Sequence, residues 1–144
     1  MKTIVVVDDD EVFGRLMSTV LDLEGYRPVV VEAVEDVVPT VREEGPALVL
    51  MDFYIHDQDT LGVLRELKND EALKDTPVIL TSGSDRSVPV LEAGADAFIA
   101  KPFRPSELLA EISGLIASSE REGGEERAPS GGTTEAVTAT PVDN

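Results

Sequence analysis

Asp8-Asp9-Asp10 stands directly after the apolar run Ile4-Val5-Val6-Val7. Three like charges at that spacing repel one another, which favours a solvated loop or a bound cation. Asp52 closes a second apolar run, residues 47–51, Thr81 and Ser82 close a third, and Lys101 follows Ala97-Phe98-Ile99-Ala100. Two or three carboxylates make an oxygen-rich site for a hard dication; Mg²⁺ commonly takes one or two of them with waters and a phosphate. A lone aspartate can act as a nucleophile and form an acyl phosphate. A nearby hydroxyl and ammonium would hold the other phosphoryl oxygens, the electrostatic arrangement that phosphoryl transfer needs.

Taken singly, these residues have ordinary readings. An acidic triplet is usually a strand-to-helix loop, with Asp10 as a helix N-cap. Asp52 reads as a loop cap and Ser82 as a turn residue. Lys101 is harder to set aside, because a lysine between a buried run and Pro102 needs a counter-charge. Their order along the chain is what argues for a joint site.

That site needs elements that bring the run ends together. Val12, Phe13, Leu16, Met17, Val20 and Leu21 recur at helical spacing and stop at Gly25. Residues 29–31 form a second strand, 34–44 a weaker helix interrupted by Pro39, and 47–51 a third strand. Leu61, Val63, Leu64 and Leu67 mark a third helix, 77–81 a fourth strand, 88–93 a brief fourth helix holding Pro89, and 97–100 a fifth strand. Pro105 opens a last helix through Ile116. Continuous rather than alternating apolar strands predict a parallel sheet buried on both faces. The expected class is α/β, a doubly wound five-stranded parallel sheet of the flavodoxin-like kind, with ligands at the carboxyl ends of its strands.

The 144 residues fit one domain. Cysteine is absent, which excludes a disulfide framework, a zinc–thiolate site and a thiol nucleophile. No run is long enough to span a bilayer and the N-terminus does not read as a signal peptide, so a cytoplasmic location without membrane insertion is expected. The net charge of −17 repels phosphate backbones and argues against direct nucleic-acid binding. From Ser119 the composition turns to Gly, Ser, Thr, Pro and Glu without apolar periodicity; six acids against two arginines leave it at −4. The expected division is a folded domain over 1–118 and a disordered acidic tail, or linker, over 119–144.

With the motifs in view, the chain resembles the receiver domain of two-component response regulators. The matching stretches run from Ile4 to Asp10, from Leu48 to Asp52, from Thr76 to Gly83 and from Gly94 to Phe103. The resemblance implies that Asp52 accepts a phosphoryl group from a phosphohistidine on a sensor histidine kinase or phosphotransfer protein. It implies Mg²⁺ on Asp8, Asp9 and Asp52, helped by the backbone carbonyl of Tyr54. Ser82, rather than its neighbour Thr81, would bond the phosphoryl oxygen, Lys101 would pair with Asp52 and then the phosphate, and the Lys101–Pro102 peptide would be cis. Phe98 takes the place of the aromatic that swings inward with Ser82. Such a domain catalyses its own phosphorylation and dephosphorylation, is no enzyme in the ordinary sense, and signals through a downstream protein target.

The chain departs from the family in its loop. His56 replaces a usual proline and Thr60 a usual glycine, exchanging one restricted and one permissive backbone position. His56, the only histidine, reads as an exposed loop side chain. The short fourth helix bears on the family's usual dimer surface. Asp57-Gln58-Asp59-Thr60 looks like the opening of a haloacid-dehalogenase phosphatase, but that motif needs one more residue before the threonine and a buried strand ahead of it. A calcium loop fails because Leu61 stands where an oxygen ligand belongs. Tyr54 and Ser84 are expected to flank the path of water to an acyl phosphate. Two alternatives remain: a receiver-like binding module that does not switch, and the regulatory part of a larger regulator.

Overall fold

The computed structural model describes residues 1–83 and 87–124. Five strands, β1 (Thr3–Val7), β2 (Arg27–Val31), β3 (Leu48–Asp52), β6 (Val78–Ser82) and β7 (Ala97–Ala100), form one sheet in the order β2-β1-β3-β6-β7. Every neighbouring pair is parallel. The helices between them are α1 (Glu11–Leu23), α2 (Val37–Glu44), α3 (Leu61–Asn69), α4 (Ser87–Glu92) and α5 (Pro105–Gly124). This is the flavodoxin-like arrangement expected from the run order.

The β-branched strands form because both of their faces are covered. Val5, Val7, Val49, Met51, Val78 and Leu80 pack with Val37, Val41, Leu64, Leu67 and Val90 of α2, α3 and α4. Ile4, Val6, Leu48, Leu50 and Ile79 pack with Met17 and Leu21 of α1 and Leu108, Ile112 and Ile116 of α5. Strand alternation alone sorts the residues into these two cores.

Three local readings change. Pro39 does not interrupt a helix: residues 34–36 form a 3₁₀ turn and Pro39 is the third residue of α2. In a first turn the missing N–H has no helical acceptor to lose. Second, α5 continues past Ser119 to Gly124. Lys2 pairs with Glu120, and the Ser119 hydroxyl lies 3.5 Å from the Asp75 carbonyl. Ser, Glu and Arg extend an existing helix without an apolar stripe, so the compositional change did not mark its end. The rest of the tail expected over 119–144, residues 125–144, lies outside the described residues.

Third, a small hairpin follows β3: β4 (Tyr54–Ile55) pairs antiparallel with β5 (Gln58–Asp59). Its two turn residues, His56 and Asp57, have φ of 49° and 65°. Left-handed backbone at both positions is what a tight hairpin turn demands. Neither residue is glycine, so the usual sequence signal is missing.

Candidate functional site

The parallel order brings the carboxyl ends of β1, β3, β6 and β7 to one edge. Asp8 and Asp9 follow β1, Asp52 ends β3, Thr81 and Ser82 end β6, and Lys101 follows β7. One carboxylate oxygen from each of Asp8, Asp9 and Asp52 lies within 4.8 Å of the others. Asp10 belongs to the helix: its Oδ1 accepts the N–H groups of Val12 at 3.0 Å and Phe13 at 3.1 Å.

Asp8 is 1% exposed. Its Oδ1 accepts the Asp10 N–H at 2.9 Å, and its Oδ2 accepts Lys101 Nζ at 3.0 Å. Lys101 Nζ is 3.7 Å from Asp52 Oδ2. The lysine thus pairs with Asp52, and it sits nearer still to Asp8, the more buried charge and so the one in greater need of a partner. Lys101 Nζ also lies 4.2 Å from the centre of the Phe13 ring, a cation–π contact, and Phe103 meets that ring edge-on. The Lys101 N–H bonds the Ser82 carbonyl at 2.8 Å, and the Lys101–Pro102 peptide is cis.

Asp52 Oδ1 accepts the N–H of Phe53 at 3.0 Å. Its carboxyl is pushed up from 3.8 to about 6. Burial is the main cause; Asp8 and Asp9 add repulsion, while Lys101 and the Phe53 N–H oppose the shift. A carboxylate crowded by two others, with one ammonium to balance them, is electrostatically short of positive charge.

The hairpin loop touches both acidic strands. His56 is exposed, as its loop position implied, yet its backbone N–H bonds Asp9 Oδ2 at 2.8 Å and its Nδ1 lies 3.4 Å from the same oxygen. A proline at 56 has no N–H to give. Thr60 is fully buried and donates its hydroxyl to the carbonyls of Asp52 (2.9 Å) and Phe53 (3.2 Å). The contact of His56 with Asp9 and the seat of Lys101 on Phe13 escaped sequence reading because they join residues far apart in the chain, and those of Thr60 because they depend on the hairpin folding it back onto the strand end.

Thr81 is in register with Asp52, and Ser82 stands one position further toward the crevice. The Thr81 hydroxyl is buried without a hydrogen-bond partner among the described residues. Phe98 is half-buried on β7 opposite Leu80 and packs against the α2–α4 core rather than in the crevice. Tyr54 is 43% exposed, its ring edge-on to Phe53 at 4.8 Å. Ser84 lies outside the described residues.

A doubly wound sheet with an acidic crevice and one lysine at its carboxyl edge defines a class of α/β protein suited to phosphoryl groups. The chain belongs to the family of response regulator receiver domains, whose family model matches residues 4–113. It is 31% identical over 118 residues to the phosphate regulon transcriptional regulatory protein PhoB of Pseudomonas aeruginosa, covering 80% of this chain and 52% of that protein. The chain thus spans about half the length of the curated relatives it matches. Among solved structures it is similar to the BeF3-activated receiver domain of Klebsiella pneumoniae RstA, with 27% identity and a TM-score of 0.72, covering 79% of this chain and 97% of that one. The receiver domain of the sensor histidine kinase PA1611 from Pseudomonas aeruginosa shares the fold, with 24% identity, a TM-score of 0.74, and coverage of 81% and 98%. That protein was solved with a magnesium ion coordinated in its active site cleft.

Proposed function

We propose that this chain is a phosphorylation-controlled signalling switch. Asp52 accepts the phosphoryl group, Asp8, Asp9, Asp52 and the Tyr54 carbonyl hold Mg²⁺, and output passes by contact with a downstream protein. The supporting observation is the crowding of Asp8, Asp9 and Asp52 beside Lys101. The donor set fits the ion: three carboxylates supply hard oxygen ligands, and their repulsion is relieved by a dication. When bound, Mg²⁺ supplies positive charge that lets anionic Asp52 approach an anionic phosphoryl group.

An Asp52 carboxylate oxygen attacks phosphorus as the bond to the donor's imidazole nitrogen breaks; the bonding pair stays on that nitrogen, and the imidazole, already protonated on its other nitrogen, leaves neutral. Lys101 and the Ser82 hydroxyl hold the phosphoryl oxygens, and Phe98 follows Ser82. The phosphate adds negative charge that biases the β6–β7 side of the molecule between two arrangements. The donor is a sensor histidine kinase or a phosphotransfer protein. The net charge of −17 disfavours direct nucleic-acid contact, and no helix among the described residues is long and apolar enough to cross a membrane. We place the switch in the cytoplasm, where such donors present their phosphohistidines.

A small acyl-phosphate donor with Mg²⁺ should add one phosphate, seen by intact-mass spectrometry, and Asp52→Asn should abolish it. Unchanged labelling in that variant sinks the assignment. A binding module that does not switch is disfavoured because His56 and Thr60, the loop departures that motivate it, each hydrogen-bond to the site. If Mg²⁺ moves no NMR signal near Asp9 and Asp52, that second reading gains.

A further inference from the structure

The geometry points to Thr60 as a positioning residue for Asp52. This role rests on Asp52 being the phosphoacceptor. Thr60 occupies the N-cap of α3, yet its side chain caps nothing there. An N-cap threonine ordinarily accepts a bond from its own helix. Here Asp59 Oδ1 takes the Leu61 N–H at 3.1 Å, and the Thr60 hydroxyl turns back to the strand.

Its one proton is shared between the carbonyls of Asp52 and Phe53, and its backbone N–H bonds the Phe53 carbonyl at 2.9 Å. The peptide between Asp52 and Phe53 is therefore held at both ends. Its carbonyl meets Thr60, and its N–H meets both the Thr81 carbonyl at 2.8 Å and the Asp52 carboxylate at 3.0 Å. The plane of that peptide bears on where the Asp52 carboxylate points, and Thr60 fixes its carbonyl end as Thr81 fixes its N–H end. Thr60 touches neither the phosphoryl donor nor the reacting oxygen; it acts through the backbone. Glycine, usual here in the family, has no hydroxyl with which to do this.

Removing the hydroxyl takes the Thr60 donor from the Asp52 carbonyl, leaves the Phe53 carbonyl with the Thr60 N–H, and frees the peptide to tilt. Displacements of this kind cost up to about a hundredfold in rate. Thr60→Val, which keeps the shape, should slow phosphorylation at saturating donor about tenfold and leave the donor concentration for half-maximal rate unchanged. Thr60→Ser should restore the rate to within about threefold of wild type, since the hydroxyl alone is needed. The Phe53 amide NMR signal should shift in Thr60→Val and return in Thr60→Ser. Leu67→Ala, buried in α3 away from Asp52, lowers stability without touching this peptide. It should retain the wild-type rate below its melting point.

A wild-type rate in Thr60→Val, or an equal loss in Leu67→Ala, would overturn the role. No labelling of the wild type would instead overturn the assignment of Asp52. A Phe53 signal that still shifts and returns would leave the peptide contact standing.

Discussion

At the scale of single residues, Asp52 carries a cost that can be measured. Its carboxyl is raised to about 6 in the fold from the ordinary 3.8. Between those values the folded protein holds a proton that the unfolded chain has lost, so stability falls as pH rises. Above pH 6 the ionised group costs on the order of 1–2 kcal/mol after screening by water in the crevice. Asp52→Asn has no such charge. In metal-free buffer it should melt above wild type near pH 7.5, with the gap closing near pH 4 and narrowing when Mg²⁺ is added. Thermal melts across that range check this; a gap that ignores pH would refute it. His56 supplies a second test. Proline cannot adopt φ of 49° or donate to Asp9, whereas asparagine can do both. Mg²⁺ titrations followed by NMR should therefore show weaker binding in His56→Pro and near-native binding in His56→Asn.

At the scale of elements, the hairpin β4–β5 organises the loop between acceptor and α3. It carries Tyr54 beside the crevice with its ring braced on Phe53. If that ring screens an acyl phosphate, Tyr54→Ala should dephosphorylate faster than wild type. Equal decay of the labelled proteins would exclude screening. Asp10 acts elsewhere, on α1. Asp10→Ala removes its two capping bonds and should cost about 1 kcal/mol by denaturant unfolding, while phosphorylation persists. The division of the acidic triplet was legible because strand end and helix start follow each other directly in sequence. The hairpin was not legible, because no glycine or asparagine marks its turn. Tertiary bonds to Asp9 and Asp52 hold His56 and Thr60 in place despite the absence of that signal.

At the scale of the whole molecule, charge and length bear on the end of α5. The Lys2–Glu120 pair is half-exposed on both sides, and such pairs contribute at most about 1 kcal/mol. A chain ending at Gly124 should melt with the full chain. One ending at Ser118 should lose no more than about 1 kcal/mol and still label on Asp52. A large loss in the shorter chain would show that the last turns do more than extend the helix.

The sequence by itself determined the five runs of the main sheet, their parallel pairing and which residue types end them. Hydrophobic periodicity is local, and a continuous apolar run has few ways to be buried. Only the tertiary structure decided how those ends share their charges. Lys101 sits nearer Asp8 than Asp52, the His56 N–H holds Asp9, and the Thr60 hydroxyl holds the Asp52 backbone. Such contacts depend on distances between residues separated by whole elements. Burial, which sets the strength of each charge, exists only once the sheet has closed.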